Sequence, residues 1–234
     1  MESEVGGLVL KATDTVASLF KKGIVTYQSP SSILAVYALG LRDGADVLDL
    51  CSAPGGKAIL MSELTPHGKV TACDIHPHRV KLIQTYKERM HTPNVKTVVF
   101  DTSKFNEEWE ERFDYVLLDA PCSCFGTFRK HPDVFLSREE KDIADIAKTQ
   151  REILKNAVRY LKNGGTLVYS TCTLFDEENS QAVNFVLEKG KYELEKITFD
   201  SKVLNDKFAG NNGMISILPH AEYDGFFIAK IKRI

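Results

Sequence analysis

The feature that most restricts what this chain can fold into is a repeated alternation of strand-like and helix-like stretches. Short runs rich in Val and Leu (VLDL at 47–50, KVTACDI at 69–75, VKTVVF at 95–100, FDYVLLD at 113–119, GTLVYST at 165–171) are separated by segments long enough for crossover helices: Gly56–Glu63, Arg79–Met90, Arg138–Leu161 and Glu177–Lys189. Runs this apolar belong to strands buried on both faces, as in a parallel sheet covered by helices on each side. Right-handed crossovers then prescribe a doubly wound, Rossmann-like α/β domain. In the longest segment, Ser137 followed by Glu140 reads as a capping box, and Asn163-Gly164-Gly165 reads as the stop. After residue 190, YELEKITF, a Gly/Asn stretch at 210–213 and FFIAKIKR suit a terminal antiparallel hairpin on a mostly parallel sheet.

Composition adds few constraints. Of 234 residues, 43% are hydrophobic and 26% charged, which is ordinary for a globular domain. No run approaches the roughly 18 apolar residues needed to span a bilayer, and the N-terminus lacks a signal-like core, so a cytoplasmic location is expected. The five cysteines, at 51, 73, 122, 124 and 172, form no Cys-x-x-Cys pair. Reduced thiols are expected, with neither a disulfide framework nor a metal site. A net charge of −2 does not advertise a nucleic-acid binder.

The residues suited to chemistry gather where strands end. VLDLCSAPGGKA sets a strand, a tight small-residue turn and a helix start in the order used by adenosine-type ligand sites, but it is neither a Walker loop nor a G-x-G-x-x-G fingerprint. Asp74 ends the next strand, where a carboxylate can accept both hydroxyls of a ribose. Asp101 follows the third strand, within reach of an adenine amino group, and Asp119 ends the fourth. Cys122 in DAPCS and Cys172 in STCT follow adjacent strands, so two thiols face one cleft. A thiolate is a good nucleophile, and a second weakly acidic group beside it can serve as a general base. Cys51 and Cys73 fit the blander role of small buried hydrophobes.

The ordered motifs CSAPGGKA, ACDIHPHR, LLDAPCS, RKHPD, YSTCTLFDEEN and LPHAEYDGFF resemble the Sun/NSUN family of S-adenosylmethionine-dependent RNA (cytosine-5)-methyltransferases, from about Gly23 to the C-terminus. The resemblance implies a class I methyltransferase fold, with residues 1–28 as an entry segment and 29–234 as the catalytic domain. It implies that Cys51, Ser52, Ala53, Pro54, Gly55, Gly56 and Lys57 form the first loop around S-adenosylmethionine. Asp74 and Arg79 belong to the ribose segment, with Asp101 and Asp119 completing the cofactor set. Cys172 is the implied nucleophile toward cytosine carbon 6, Cys122 the residue that assists release, Asp119 the acid that meets the base, and Lys57 the group that holds that acid. DNA cytosine-5 enzymes attack instead with the Pro-Cys cysteine, here Cys122, so the Thr-Cys motif favours RNA.

Two positions depart from the family pattern: Cys124 stands where Gly is usual, and Ser216 where Arg is usual. They motivate a competing reading, a non-catalytic adenosylmethionine-binding RNA-interaction protein. The expected substrate is tRNA or rRNA, and a monomer is expected, with targeting supplied by the catalytic surface, an accessory RNA-binding partner or sequence outside these residues. Arg129, Lys130 and His131 are candidate phosphate contacts beside a flipped base, while Lys21 and Lys22 are as easily explained by solubility.

Overall fold

The computed structural model describes residues 13–134, 139–220 and 223–234. Its centre is an eight-stranded sheet built from β1 (Asp46–Asp49), β2 (Lys69–Asp74), β3 (Val95–Val99), β4 (Phe113–Asp119), β5 (Leu161–Thr171), β6 (Tyr192–Leu194), β7 (Met214–Ile217) and β8 (Phe226–Arg233). The order is β3-β2-β1-β4-β5-β8-β6, and β1 to β5 run parallel. The order reverses between β1 and β4, so the carboxyl ends of these neighbours open the crevice in which doubly wound sheets hold ligands.

Period-two side-chain alternation sorts the core into two layers. Val47, Tyr115, Leu117, Val168 and Ile228 face one side, under α2 (Pro30–Ala38), α3 (Gly56–Leu64) and α4 (Pro77–Arg89). Leu48, Leu50, Val116, Leu118, Leu167 and Ala229 face the other, under α5 (Glu140–Ala157) and α6 (Ser180–Leu187). Pro30 and Pro77 sit in the first turns of α2 and α4, where a missing N–H costs nothing. The N-terminal helix α1 (Asp14–Lys21) is tied down by Arg89, which donates to Phe20 O at 2.7 Å and lies over the Phe20 ring.

The expected helix over 138–161 is shorter than its apolar periodicity suggests. It ends at Ala157, a 3-10 turn covers Val158–Tyr160, and Leu161 already pairs with Phe113. Burial of Val158, Tyr160 and Leu161 draws the chain into the sheet before the glycines are reached. Asn163-Gly164-Gly165 therefore lies inside the bounds of β5, where the register shifts between Phe113 and Tyr115, and does not cap a helix. Ser137 lies outside the described residues. The capping box observed is reciprocal bonding between Glu139 and Asp142.

At the C-terminus the antiparallel layer is more elaborate than one hairpin. β8 pairs with β5 along one edge, while β7 and β6 share its other edge, opposite Phe226–Ala229 and Ile231–Arg233 respectively. A short helix, α7 (Lys202–Lys207), N-capped by the Ser201 hydroxyl, links β6 to β7. No helix among the described residues is long and apolar enough to cross a membrane.

Candidate active site

The turn after β1 is built on backbone conformation. Gly55 caps the start of α3 at φ +113°, a left-handed conformation that favours glycine, and an added Cβ would also press on Ile83 at 3.2 Å. The turn encloses a cavity of about 200 Å³ lined by Tyr27, Gln28, Asp49, Cys51–Pro54, Gly56, Lys57, Tyr86 and Asp119, among others. A larger cavity of about 460 Å³ beside Tyr37 and Phe199 holds none of the expected site residues, so size alone does not pick the site.

Polar groups in this cavity await partners. Of seven buried side-chain atoms without a hydrogen bond among the described residues, four line it: Gln28 Nε2, both carboxylate oxygens of Asp49, and Ser52 Oγ. Such groups are costly unless a ligand or water meets them. Burial pushes the Asp49 carboxyl up to about 7, and the facing Ser52 hydroxyl and then Lys57 offset this only in part. Asp49 was read from sequence only as part of the strand VLDL. Its signal was an acid inside a run otherwise buried on both faces, where a carboxylate has no structural reason to sit.

Asp119, at the end of β4, is held at both oxygens. The Lys57 ammonium donates to Oδ2 at 2.5 Å and the Ser170 hydroxyl to Oδ1 at 2.6 Å. Burial works against the Lys57 charge, but Asp119, joined by Asp49 and Cys172, outweighs it and raises the lysine pKa. Asp74, buried at the end of β2, meets Arg79 Nη1 at 3.3 Å, and Arg79 Nη2 donates to Ala53 O. Asp101 accepts from the backbone and hydroxyl of Ser103. Asp74, Arg79, Asp101 and Gly55 do not line the 200 Å³ cavity, whereas the other expected cofactor-loop residues do.

The two catalytic-candidate thiols do meet. Cys122 Sγ and Cys172 Sγ are 3.2 Å apart, and Cys124 Sγ lies 3.9 Å from Cys122 Sγ. Contact with Cys122 lowers the Cys172 pKa, but the Cys124 thiol and burial outweigh it and leave Cys172 raised. Cys122 is raised by Cys124, Cys172 and burial together. Cys51, whose thiol burial pushes up to about 12, points to Thr102, and Cys73 is fully buried. Cys124 adopts φ +64°, which gives a physical reason for glycine at this position in the family pattern.

A buried polar girdle, also missed in the sequence, ties the two cysteine loops together. The fully buried Glu178 carboxylate accepts from Ser123 N and Gln150 Nε2, each at 2.9 Å, and from Ser123 Oγ at 2.5 Å. Asn179 accepts from Thr171 Oγ1 and donates to Thr173 O, one on each side of Cys172. Both belong to the DEEN motif at 176–179, which carried the family resemblance without any assigned role. Arg129 and Lys130 turn to the chain itself: Arg129 bonds His220 O, and Lys130 pairs with Asp224 at 2.6 Å. His131, Lys21, Lys22 and Ser216 are exposed.

Residues 36–232 match the family model described as 16S rRNA methyltransferase RsmB/F. The chain is 38% identical over 231 residues to the probable ribosomal RNA small subunit methyltransferase B of Bacillus subtilis, covering 96% of this chain and 51% of the relative. With the ribosomal RNA small subunit methyltransferase B of Citrobacter koseri it shares 37% over 214 residues, covering 91% and 48%. It thus spans about half the length of the curated relatives it matches. Among solved structures, NSun6 from Pyrococcus horikoshii with SFG superposes with a TM-score of 0.82 at 30% identity, covering 95% of this chain and 56% of that one. A methyltransferase homolog protein from the same organism gives 0.79 at 28%, covering 95% and 72%. A Rossmann-like methyltransferase fold and a match along most of the sequence agree: this chain belongs to the RsmB/F family of 16S rRNA methyltransferases.

Proposed function

We propose that this chain is the catalytic part of an S-adenosylmethionine-dependent methyltransferase that modifies carbon 5 of a cytidine in small-subunit ribosomal RNA, a reaction of the cytoplasm. The observation that carries the reading is the contact of Cys122 with Cys172 beside the Lys57–Asp119 pair at the point where the sheet order reverses. The names of the relatives favour rRNA over tRNA.

The residues present fit the cofactor. Asp49 and Gln28 offer unpartnered buried polar atoms in the cavity, and Asp49 is the acid available to the cofactor's ammonium group. Ser52, Ala53, Pro54 and Gly56 supply the close-approach wall, while Asp74 and Arg79 provide the ribose-binding end. When bound, the cofactor supplies an electrophilic methyl group on a sulfonium.

Cytosine carbon 5 is too electron-poor to accept that methyl directly. Addition of Cys172 Sγ to carbon 6 makes carbon 5 an enamine-like nucleophile. Asp119, fixed at both oxygens by Lys57 and Ser170, is oriented to meet the base edge as charge develops. After methylation the proton on carbon 5 must leave before the carbon–sulfur bond can break and restore the ring. Cys122, touching Cys172, is the group placed to assist that release.

Methyl transfer from labelled adenosylmethionine to small-subunit rRNA and, separately, to tRNA, followed by nucleoside analysis, tests the reading. Cys172→Ala is expected to abolish 5-methylcytidine, and Cys122→Ala to accumulate a covalent protein–RNA adduct that migrates slowly on a denaturing gel. Cofactor binding without transfer to either RNA would favour the non-catalytic alternative. Full activity of Cys172→Ala would refute the nucleophile.

A further inference from the structure

Cysteine spacing in the sequence predicts no metal site, yet the fold gathers three thiols. Among the described residues, Cys122, Cys124 and Cys172 form the cluster whose ligand atoms all lie within 4.8 Å of one another. Two of them come from the loop after β4 and the third from the end of β5, so the cluster exists only in the folded chain. None is in a disulfide. With zinc–sulfur bonds of about 2.3 Å, three thiolates around one ion stand roughly 3.8 Å apart. Two of the three separations, 3.2 and 3.9 Å, bracket that value, and the third, between Cys124 and Cys172, lies within 4.8 Å. Soft sulfur ligands select thiophilic ions over magnesium or calcium.

Cys124 makes the difference between a catalytic thiol pair and a chelating triad. The left-handed backbone there suits glycine, and a cysteine placed in it sets its sulfur 3.9 Å from Cys122 Sγ and within 4.8 Å of Cys172 Sγ. The surroundings help, since the girdle on Glu178 and Asn179 fixes both loops and supplies the rigidity that a preformed site needs.

We propose that Cys122, Cys124 and Cys172 form a trithiolate site for a thiophilic divalent ion of the zinc class, and that occupancy holds the methyltransferase inactive by masking the nucleophile. Binding of Zn²⁺ releases three thiol protons to solvent and leaves the fourth coordination position to water. The inhibitory part of this proposal rests on the assignment of Cys172 as nucleophile; the binding part does not.

The test uses the full chain, reduced and stripped of metal, titrated with Zn²⁺ against a chromophoric chelator and with Cd²⁺ while the thiolate-to-cadmium absorption is followed. One ion per chain is expected, with absorption intensity for three sulfurs. Cys124→Gly, compatible with the left-handed backbone, should show two sulfurs. Its affinity should fall by more than the roughly 10–100-fold that loss of an outer-shell partner costs. Cys172→Ala should weaken binding similarly, and S-adenosylhomocysteine binding by each variant reports that the fold is intact. Equal retention of Zn²⁺ by wild type and Cys124→Gly, or no retention by wild type, overturns the site. Tight, Cys124-dependent binding together with full RNA methylation by metal-free Cys172→Ala would leave the site standing and sink the nucleophile assignment. RNA methylation unaffected by stoichiometric Zn²⁺ would remove the inhibitory role.

Discussion

Asp49 shows how one buried acid can join stability to ligand binding. Its pKa of about 7 lies well above the ordinary carboxylate value because burial disfavours the charge. A raised acid holds in the folded state a proton that the unfolded chain gives up. The contribution of Asp49 to the stability of the cofactor-free protein is therefore lost as pH rises from about 4 to about 7, then levels off. A cationic ligand group reverses the preference by pairing with the ionised form. S-Adenosylhomocysteine, which keeps the ammonium, is expected to bind about tenfold more tightly at pH 8 than at pH 6. Asp49→Asn should bind weakly with little pH dependence, yet melt at a higher temperature than wild type at pH 8 without ligand. Calorimetric titration and thermal melts across this range decide it; a pH-independent wild-type affinity would remove Asp49 from the cofactor site. Asp74 and Asp119 were legible because they end strands before turns, where an acid is conspicuous. Asp49 was not, because it stands one residue before the end of the apolar run VLDL and reads as strand.

The cysteine loops are ordered by an element that sequence patterns describe poorly. The segment 175–179 is a polar turn ahead of α6, and nothing in its composition tells a solvated acid from a buried one. Glu178 is buried, and its three donors come from the loop after β4 and from α5. Glu178→Ala would strand those donors away from water and should cost roughly 3 kcal/mol or more of stability. Glu178→Gln retains the shape but presents an amide donor where donors already converge, so it should fall between the two. Both substitutions are expected to lower kcat for methyl transfer while leaving S-adenosylhomocysteine affinity nearly unchanged, because the girdle holds thiols and not the cofactor loop. Parallel loss of affinity would mean that Glu178 supports the fold generally. Helix α7 was invisible for a related reason: six mostly polar residues carry too little periodicity, and only Ser201 as a cap marks the start.

At the scale of the whole molecule, the parallel half of the sheet was legible because its strands are apolar runs, and the antiparallel half was legible as a terminal hairpin, but the placing of β8 between β5 and both β6 and β7 is long-range pairing that local pattern does not record. β8 lies between β5 and the strands β6 and β7, and the chain entering it is clasped to the loop that carries Cys122. Gly225 N donates to Gly126 O at 2.8 Å, and Gly126 N donates to Cys172 O at 2.9 Å. A Cβ on Gly126 would lie 2.2 Å from Gly225 O and 2.8 Å from Cys172 O, both unyielding backbone atoms. The C-terminal layer, the loop carrying Cys122 and the strand end carrying Cys172 therefore interlock at one glycine. Gly126→Ala must push these segments apart, at a cost of about 1–3 kcal/mol or somewhat more, as for other overpacked sites. Because the displacement falls between the two thiols and away from the turn at Gly55, methyl transfer should drop by a larger factor than cofactor affinity. The variant should also release the Cys172 thiol to alkylation faster than wild type. Wild-type turnover together with a wild-type melting temperature would mean that the clasp is slack and that Cys172 is positioned by Glu178 and Asn179 alone.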